Sequence, residues 1–115
     1  MKVFKFGGAS INTKERIQNV AKIIQSFTGE KLLVIISAMG KTTNALEKVA
    51  EVFYEGNKEE ALNLFQQIKE EHLLVLAQLN PSAKNILNDL FTEVEWLLHD
   101  NPVRDYDYYY DQIVC

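Results

Sequence analysis

Cysteine is almost absent from the chain: of its 115 residues only the last, Cys115, is one. A lone thiol cannot close an internal disulfide, and no Cys/His set stands at zinc-ligand spacing. A reducing, cytoplasmic setting is therefore expected. Positive charge is scarce as well, with 12 Lys plus Arg against 16 Asp plus Glu and a formal net charge of −4. No global positive field gathers a phosphodiester backbone or an anionic lipid, which argues against nucleic acid as a partner. No apolar run approaches the roughly 18 residues that a membrane span requires. The chain also enters a structured pattern at Lys2 without a signal-peptide core, so neither export nor membrane insertion is expected. Internal repeats, low-complexity tracts and linkers are lacking, which leaves room for one domain. The 47% apolar and 24% charged residues suit an ordinary globular core.

Residues 2–6, Lys-Val-Phe-Lys-Phe, alternate polar and apolar and stop at Gly7-Gly8, the pattern of a short strand ending in a glycine turn. Asn12 and Glu15 form a capping box for a helix whose apolar face is Ile17, Val20, Ala21, Ile24 and Phe27, with Gly29 as its stop. Leu32-Leu33-Val34-Ile35-Ile36 is apolar without alternation, as in a parallel strand covered on both faces. Strand, helix and strand at this spacing predict a βαβ unit over 2–37, for which a right-handed crossover is the strong default.

From residue 43 to 115 the periodicity is helical. One helix carries Leu46, Val49, Ala50 and Phe53 and ends at Gly56. The next opens with an Asn57/Glu60 capping box and runs to Asn80, before Pro81. A third has Ile86, Leu87, Leu90, Phe91, Val94, Leu97 and Leu98 as its apolar face and is closed by Asn101-Pro102. Tyr106 to Val114 begins a further helix or strand. Two parallel strands cannot bury a run as apolar as 32–36, so more strands are expected from sequence after Cys115, and residues 1–115 read as an N-terminal piece.

Two loops leave the C-terminal ends of the strands, the edge at which open α/β sheets bind ligands. In Lys5-Phe6-Gly7-Gly8-Ala9-Ser10, paired glycines allow backbone N–H groups to approach a phosphate, and Lys5 supplies a cation for charge developing in phosphoryl transfer. A plain tight turn beside a solvated lysine is the competing reading. The second loop, Ser37-Ala38-Met39-Gly40-Lys41-Thr42-Thr43-Asn44, imitates the end of a P-loop in its Gly40-Lys41-Thr42, but Ile35 occupies the position where that motif needs its first glycine. A helix start capped by Thr42, Thr43 or Asn44 is the simpler account and is compatible with binding a carboxylate or phosphate there.

Taken together the loops resemble a known family. Lys5-Phe6-Gly7-Gly8-Ala9-Ser10 is similar to the Lys-Phe-Gly-Gly-Thr-Ser opening of aspartokinases. Ile36-Ser37-Ala38-Met39-Gly40-Lys41-Thr42-Thr43-Asn44 is similar to their Val-Ser-Ala block followed by Thr-Thr-Asn or Thr-Thr-Asp. Asp111-Gln112-Ile113-Val114 looks like the lead-in to their Ser-x-Gly-Glu block, with Cys115 where the serine usually stands. The resemblance covers the whole chain and implies the N-terminal part of an α/β amino acid kinase fold, a carbamate kinase-like three-layer αβα architecture. It also implies ATP-dependent phosphorylation of the side-chain carboxylate of L-aspartate to 4-phospho-L-aspartate, with Mg2+ accompanying ATP. Residue by residue, Lys5 would stabilise the transferring phosphoryl group, and Phe6, Gly7, Gly8 and Ser10 would form the phosphate loop with it. Ser37 would lie beside the reaction centre, and Thr43 would hold aspartate. No metal ligand is expected among residues 1–115. Ala9 departs from the family's threonine but keeps its backbone donors. The rest of the kinase domain and the regulatory ACT domains, with their feedback amino acid (lysine or threonine), would lie beyond residue 115. The full-length form would be a homo-oligomer, and the piece alone would be inactive.

Fusion to a homoserine dehydrogenase, or another kinase of the superfamily, would share this opening. A non-catalytic helical interaction module is the alternative from a different class, and it leaves both loops without a purpose. His72 is read as a packed helix residue and His99 as a helix C-terminal one. The run Asp105 to Asp111 is read as an aromatic helix start packing on its neighbours, rather than as a ligand platform.

Overall fold

A computed structural model describes residues 1–115, which divide into two compact units, Met1–Thr42 and Thr43–Cys115. The first unit contains β1 (Lys2–Phe6), a 3₁₀ turn (Gly8–Ser10), α1 (Lys14–Gln25) and β2 (Leu32–Ile36). The strands pair in parallel, with Lys2 opposite Leu32 and Phe6 opposite Ile36. This is the βαβ pattern expected from the sequence.

Side chains alternate across the sheet, so Phe4 and Phe6 share one face with Leu32 and Val34, and all four are half-buried. Phe27, just past α1, meets the Phe4 ring edge-on with centroids 4.8 Å apart. The Lys2 ammonium sits over Phe27 at 4.7 Å and pairs with Glu30 at 3.3 Å. The opposite face is different: Val3, Leu33 and Ile35 are 56%, 47% and 47% exposed. Coverage of the second strand on both faces is thus not realised. The unit carries only α1, enough helix for one face.

Thr13, not Asn12, caps α1. Thr13 is extended, at φ −136° and ψ 161°, and its hydroxyl accepts the Arg16 N–H at 3.1 Å. With the cap one residue later, Glu15 falls at the second helical position, too early to complete the box.

The second unit contains α2 (Thr42–Tyr54, beginning at the boundary residue), α3 (Lys58–Leu79), a 3₁₀ turn (Pro81–Ala83), α4 (Lys84–His99) and α5 (Tyr106–Val114). Its core is formed by Val49, Ala50 and Phe53 of α2, Ala61 and Phe65 of α3, Leu98 of α4 and Tyr109 and Ile113 of α5. Half of the Asn57/Glu60 box expected at the start of α3 forms: Asn57 Oδ1 accepts the Glu60 N–H at 3.2 Å, but the Glu60 carboxylate accepts from Asn57 Nδ2 at 2.9 Å, because the Asn57 backbone N–H already donates to Val52 O at 3.0 Å. Pro81 turns the chain, and α4 packs back on α3 through Phe65 and Phe91 and a Lys69–Glu95 ion pair at 2.7 Å. On α4 the line Leu87, Phe91, Val94 and Leu98 turns inward, whereas Ile86 and Leu90 stay 68% and 57% exposed. The apolar stripe is wider than the partner surface that covers it.

Candidate functional site

Ser37 continues the ladder beyond β2, its N–H donating to the Phe6 carbonyl at 2.9 Å, so the two loops start level with each other. Gly7 then turns the first loop into its 3₁₀ turn, in which Ser10 N–H donates to Gly7 O at 3.0 Å and Ile11 N–H to Gly8 O at 3.3 Å. From the second loop Gly40 N–H also donates to Gly8 O, at 3.1 Å. Gly40 can do so because it adopts φ +56°, a left-handed turn that costs glycine little.

The two glycines of the first loop have different duties. A Cβ on Gly8 would run into the Gly40 carbonyl and come within 3.0 Å of the Ala38 carbonyl, so its hydrogen is what lets the backbones meet. A Cβ on Gly7 would meet nothing within 4 Å, and its φ of −75° suits any residue. Nothing in the chain therefore requires glycine at position 7, but a side chain there would fill the open space beside the turn. The Gly8 and Ala9 amides, first in the turn, donate to no carbonyl within the loops. Open space beside undonated amides fits an anionic oxygen group such as a phosphate.

Lys5 lies on β1 opposite Ile35, exposed and without a salt bridge. Strand alternation puts it on the same uncovered face as Val3. Lys5, Phe6, Gly7, Gly8, Ser10 and Ser37 are thus gathered at one end of the sheet, with Ser10 and Ser37 exposed and Phe6 half-buried. Thr43 belongs to the second unit, where it is an exposed residue in the first turn of α2. Its neighbour Thr42 donates its hydroxyl to the Met39 carbonyl at 2.5 Å, at the close of the second loop.

One residue at this site escapes a motif reading. The Arg16 guanidinium, from the first turn of α1, donates to the Ala9 carbonyl. With Phe6, Ser10, Asn19, Val20 and Ile23 it lines a cavity of about 300 Å³ against the first loop. A sequence signal existed: a basic residue in a helix's first turn opposes the helix dipole and invites a search for its partner.

The tyrosine-rich end packs rather than presenting a platform. Tyr109 is buried against Phe53, and its hydroxyl accepts the Val103 and Arg104 N–H groups at 2.7 and 3.0 Å, where the Asp105 side chain makes no cap. Tyr110 donates to Glu47 Oε1 at 2.8 Å, and this bond to a carboxylate raises its pKa above 10.0. The Tyr106 phenol is also pushed up, chiefly by desolvation and then by Glu51, Glu47 and Asp107. His72 is half-buried, with Nδ1 2.8 Å from the Ile68 carbonyl and its ring against Phe91. No group of three His, Cys, Asp or Glu side chains could hold a metal ion, and no helix is long and apolar enough to cross a membrane.

Comparison with known proteins identifies the family. The model of the amino acid kinase family matches residues 1–103. Aspartokinase 1, chloroplastic, of Arabidopsis thaliana is 40% identical over 101 residues, covering 84% of this chain and 17% of that protein. The aspartokinase of Geobacillus stearothermophilus is 48% identical over 50 residues, covering 42% of this chain and 12% of that protein. Bifunctional aspartokinase/homoserine dehydrogenase 2, chloroplastic, of Arabidopsis thaliana is 31% identical over 77 residues, 67% of this chain and 8% of that protein. The chain spans 17% or less of the length of these three relatives. It belongs to the amino acid kinase family.

Proposed function

We propose that this member of the amino acid kinase family is the N-terminal segment of an aspartokinase, which transfers the γ-phosphoryl group of ATP to the side-chain carboxylate of L-aspartate. A carboxylate oxygen forms the new bond to phosphorus while the bond from the γ-phosphorus to the β,γ-bridging oxygen breaks, giving 4-phospho-L-aspartate and ADP. The observation that carries this reading is the Gly40 N–H to Gly8 O bond, which ties the two loops together beside the open space at Gly7 and the unpaired Lys5. Catalysis of this class rests on positioning and charge stabilisation, and the free amides and a lysine supply both.

In this reading Lys5 neutralises charge building on the transferring group. The Gly7–Ser10 loop, with Phe6 leading into it, receives the ATP phosphates. Ser37 stands beside the reaction centre, and Thr43 holds the aspartate. Mg2+ would arrive on the phosphate oxygens of the nucleotide, because these residues offer no ligand cluster of their own. The product would enter lysine, threonine and methionine synthesis. The full-length enzyme would be a homo-oligomer whose ACT domains, outside these residues, bind lysine or threonine. The single exposed Cys115 suits the reducing cytoplasm. Residues 1–115 alone are expected to be inactive.

A fused aspartokinase and homoserine dehydrogenase is the second reading, favoured by the bifunctional Arabidopsis relative. Homoserine oxidation by the full-length protein separates the two.

The test is Lys5→Ala in the full-length enzyme, followed by the hydroxamate assay for aspartyl phosphate. Turnover should fall by about 10³-fold with a smaller change in KM for aspartate, since the lysine acts mainly in the transition state. Near-normal turnover rejects the assignment. Thr43→Val should raise KM for aspartate more than KM for ATP, and the reverse puts Thr43 in the other subsite.

A further inference from the structure

Resting on the phosphate-loop reading above, we infer that Arg16 is a positioning residue, holding the loop in its ATP-receiving shape through the Ala9 carbonyl.

The three consecutive carbonyls of the turn are all occupied. Gly7 O accepts the Ser10 N–H, Gly8 O accepts the Ile11 and Gly40 N–H groups, and Ala9 O accepts the Arg16 guanidinium. The bonds to the first two carbonyls are backbone to backbone and follow from the turn and from the second loop. The third depends on one side chain. With these three carbonyls held, the amides of Gly8 and Ala9 are the donors of the turn that no carbonyl accepts.

Arg16 is itself anchored. Its backbone N–H is bound by the capping hydroxyl of Thr13, so the residue that grips the loop is fixed in the first turn of α1. Its charge is placed at an electrostatic cost, because the N-terminal end of a helix favours anions. No carboxylate pairs with it: the ion pairs of the chain are Lys2–Glu30, Lys48–Glu51 and Lys69–Glu95. The guanidinium's one hydrogen bond is the one to Ala9. An unpaired guanidinium so close to the loop also adds positive potential where a polyphosphate would arrive. Alanine at position 9 offers the arginine nothing but its carbonyl, so the grip acts on backbone alone.

The experiment compares Arg16→Ala and Arg16→Lys in the full-length enzyme, with ATP as the varied substrate and hydrogen exchange of the bonded Ser10, Ile11 and Gly40 amides as a second readout. Arg16→Ala should raise KM for ATP about tenfold, the weight of one charge-assisted hydrogen bond. KM for aspartate should change less than about twofold, and exchange in the loop should accelerate. Arg16→Lys keeps a cationic donor and should recover most of the ATP affinity. Unchanged exchange in Arg16→Ala overturns the inference while leaving the phosphate-loop reading intact. Faster exchange with KM for ATP unchanged shows that the loop does not receive ATP, which overturns that reading and the inference with it. Equal rises in both KM values assign Arg16 a general structural role and overturn the inference as well.

Discussion

The two units of this chain are held together in different ways. In the helical unit, side chains from four helices converge on Phe53, Phe65 and Leu98, each at most 2% exposed. In the βαβ unit the buried hydrophobics are Ile11 and Val20, while Val3, Leu33 and Ile35 face solvent. Its order comes from backbone bonding instead: a parallel ladder, its continuation at Ser37, and the bond between Gly40 and Gly8. The candidate phosphate-loop residues belong to the unit with the thinner core, whereas Thr43 belongs to the helical unit. A phosphate loop needs exposed backbone donors, and a unit that spends few apolar groups around its loops leaves such donors open to a ligand.

The largest expected effect separates the units by their cores. Phe53→Ala should destabilise the helical unit by about 3–5 kcal/mol, read as loss of helical circular dichroism on heating. Amide exchange at Phe4 and Val34 should be little changed. If those strand amides lose protection in step, the units unfold as one and the contrast fails.

A smaller effect distinguishes the two glycines. Gly8→Ala should cost about 1–3 kcal/mol, because the added methyl meets backbone that cannot rotate away. Gly7→Ala should change stability by no more than about 0.5 kcal/mol. It should nevertheless weaken ATP binding in the full-length enzyme, by filling the space beside the turn. Equal stability losses would show that Gly7 is as closely packed as Gly8, and unchanged ATP binding in Gly7→Ala would show that the space beside it is not a subsite.

The exposed strand face predicts how the purified chain behaves. Residues 1–115 should self-associate, read by sedimentation, through unpaired strand edges and the Val3, Leu33 and Ile35 surface. Ile35→Lys should shift the distribution toward monomer. A monomer without the substitution would mean that this face is better protected than its exposure indicates.

The smallest effect is alkaline and belongs to the helical unit. Tyr106 and Tyr110 hold their phenolic protons more tightly than an ordinary tyrosine of pKa 10.0. Folded pKa values above the unfolded value contribute stability that is fully present below about pH 10 and lost as pH rises through the raised values. Urea melts at about pH 8 and pH 11 should show the decline. Tyr110→Phe should flatten it, and an unchanged slope would remove Tyr110 as a cause.

Much of this was legible along the chain. Alternation in 2–6 and the apolar run 32–36 marked the strands, and the Asn57/Glu60 pair marked a helix start, because each depends on neighbours a few residues apart. Loops at the strand ends, with Lys5 beside paired glycines, marked the candidate site. What stayed hidden depends on distant partners. That Gly8 is required by a carbonyl some thirty residues on, that Tyr109 supplies the acceptor for the chain before α5, and that Ile86 turns outward are facts of packing. The shift of the cap from Asn12 to Thr13 is subtler. Either residue type caps well, so the residue types alone do not choose between them.

The contact between Gly8 and Gly40 also sets a limit on how this sequence can vary. Surface loops ordinarily absorb insertions, since each added residue costs little closure entropy. Between Ser37 and Gly40 that freedom is gone, because one extra residue would carry the Gly40 amide past the Gly8 carbonyl and bring a side chain into the gap. Within those few positions the loop is as length-constrained as a strand. Related sequences should therefore gain or lose residues after Ile11 or after Gly40, but not between the ladder and the bond that closes it, on either loop.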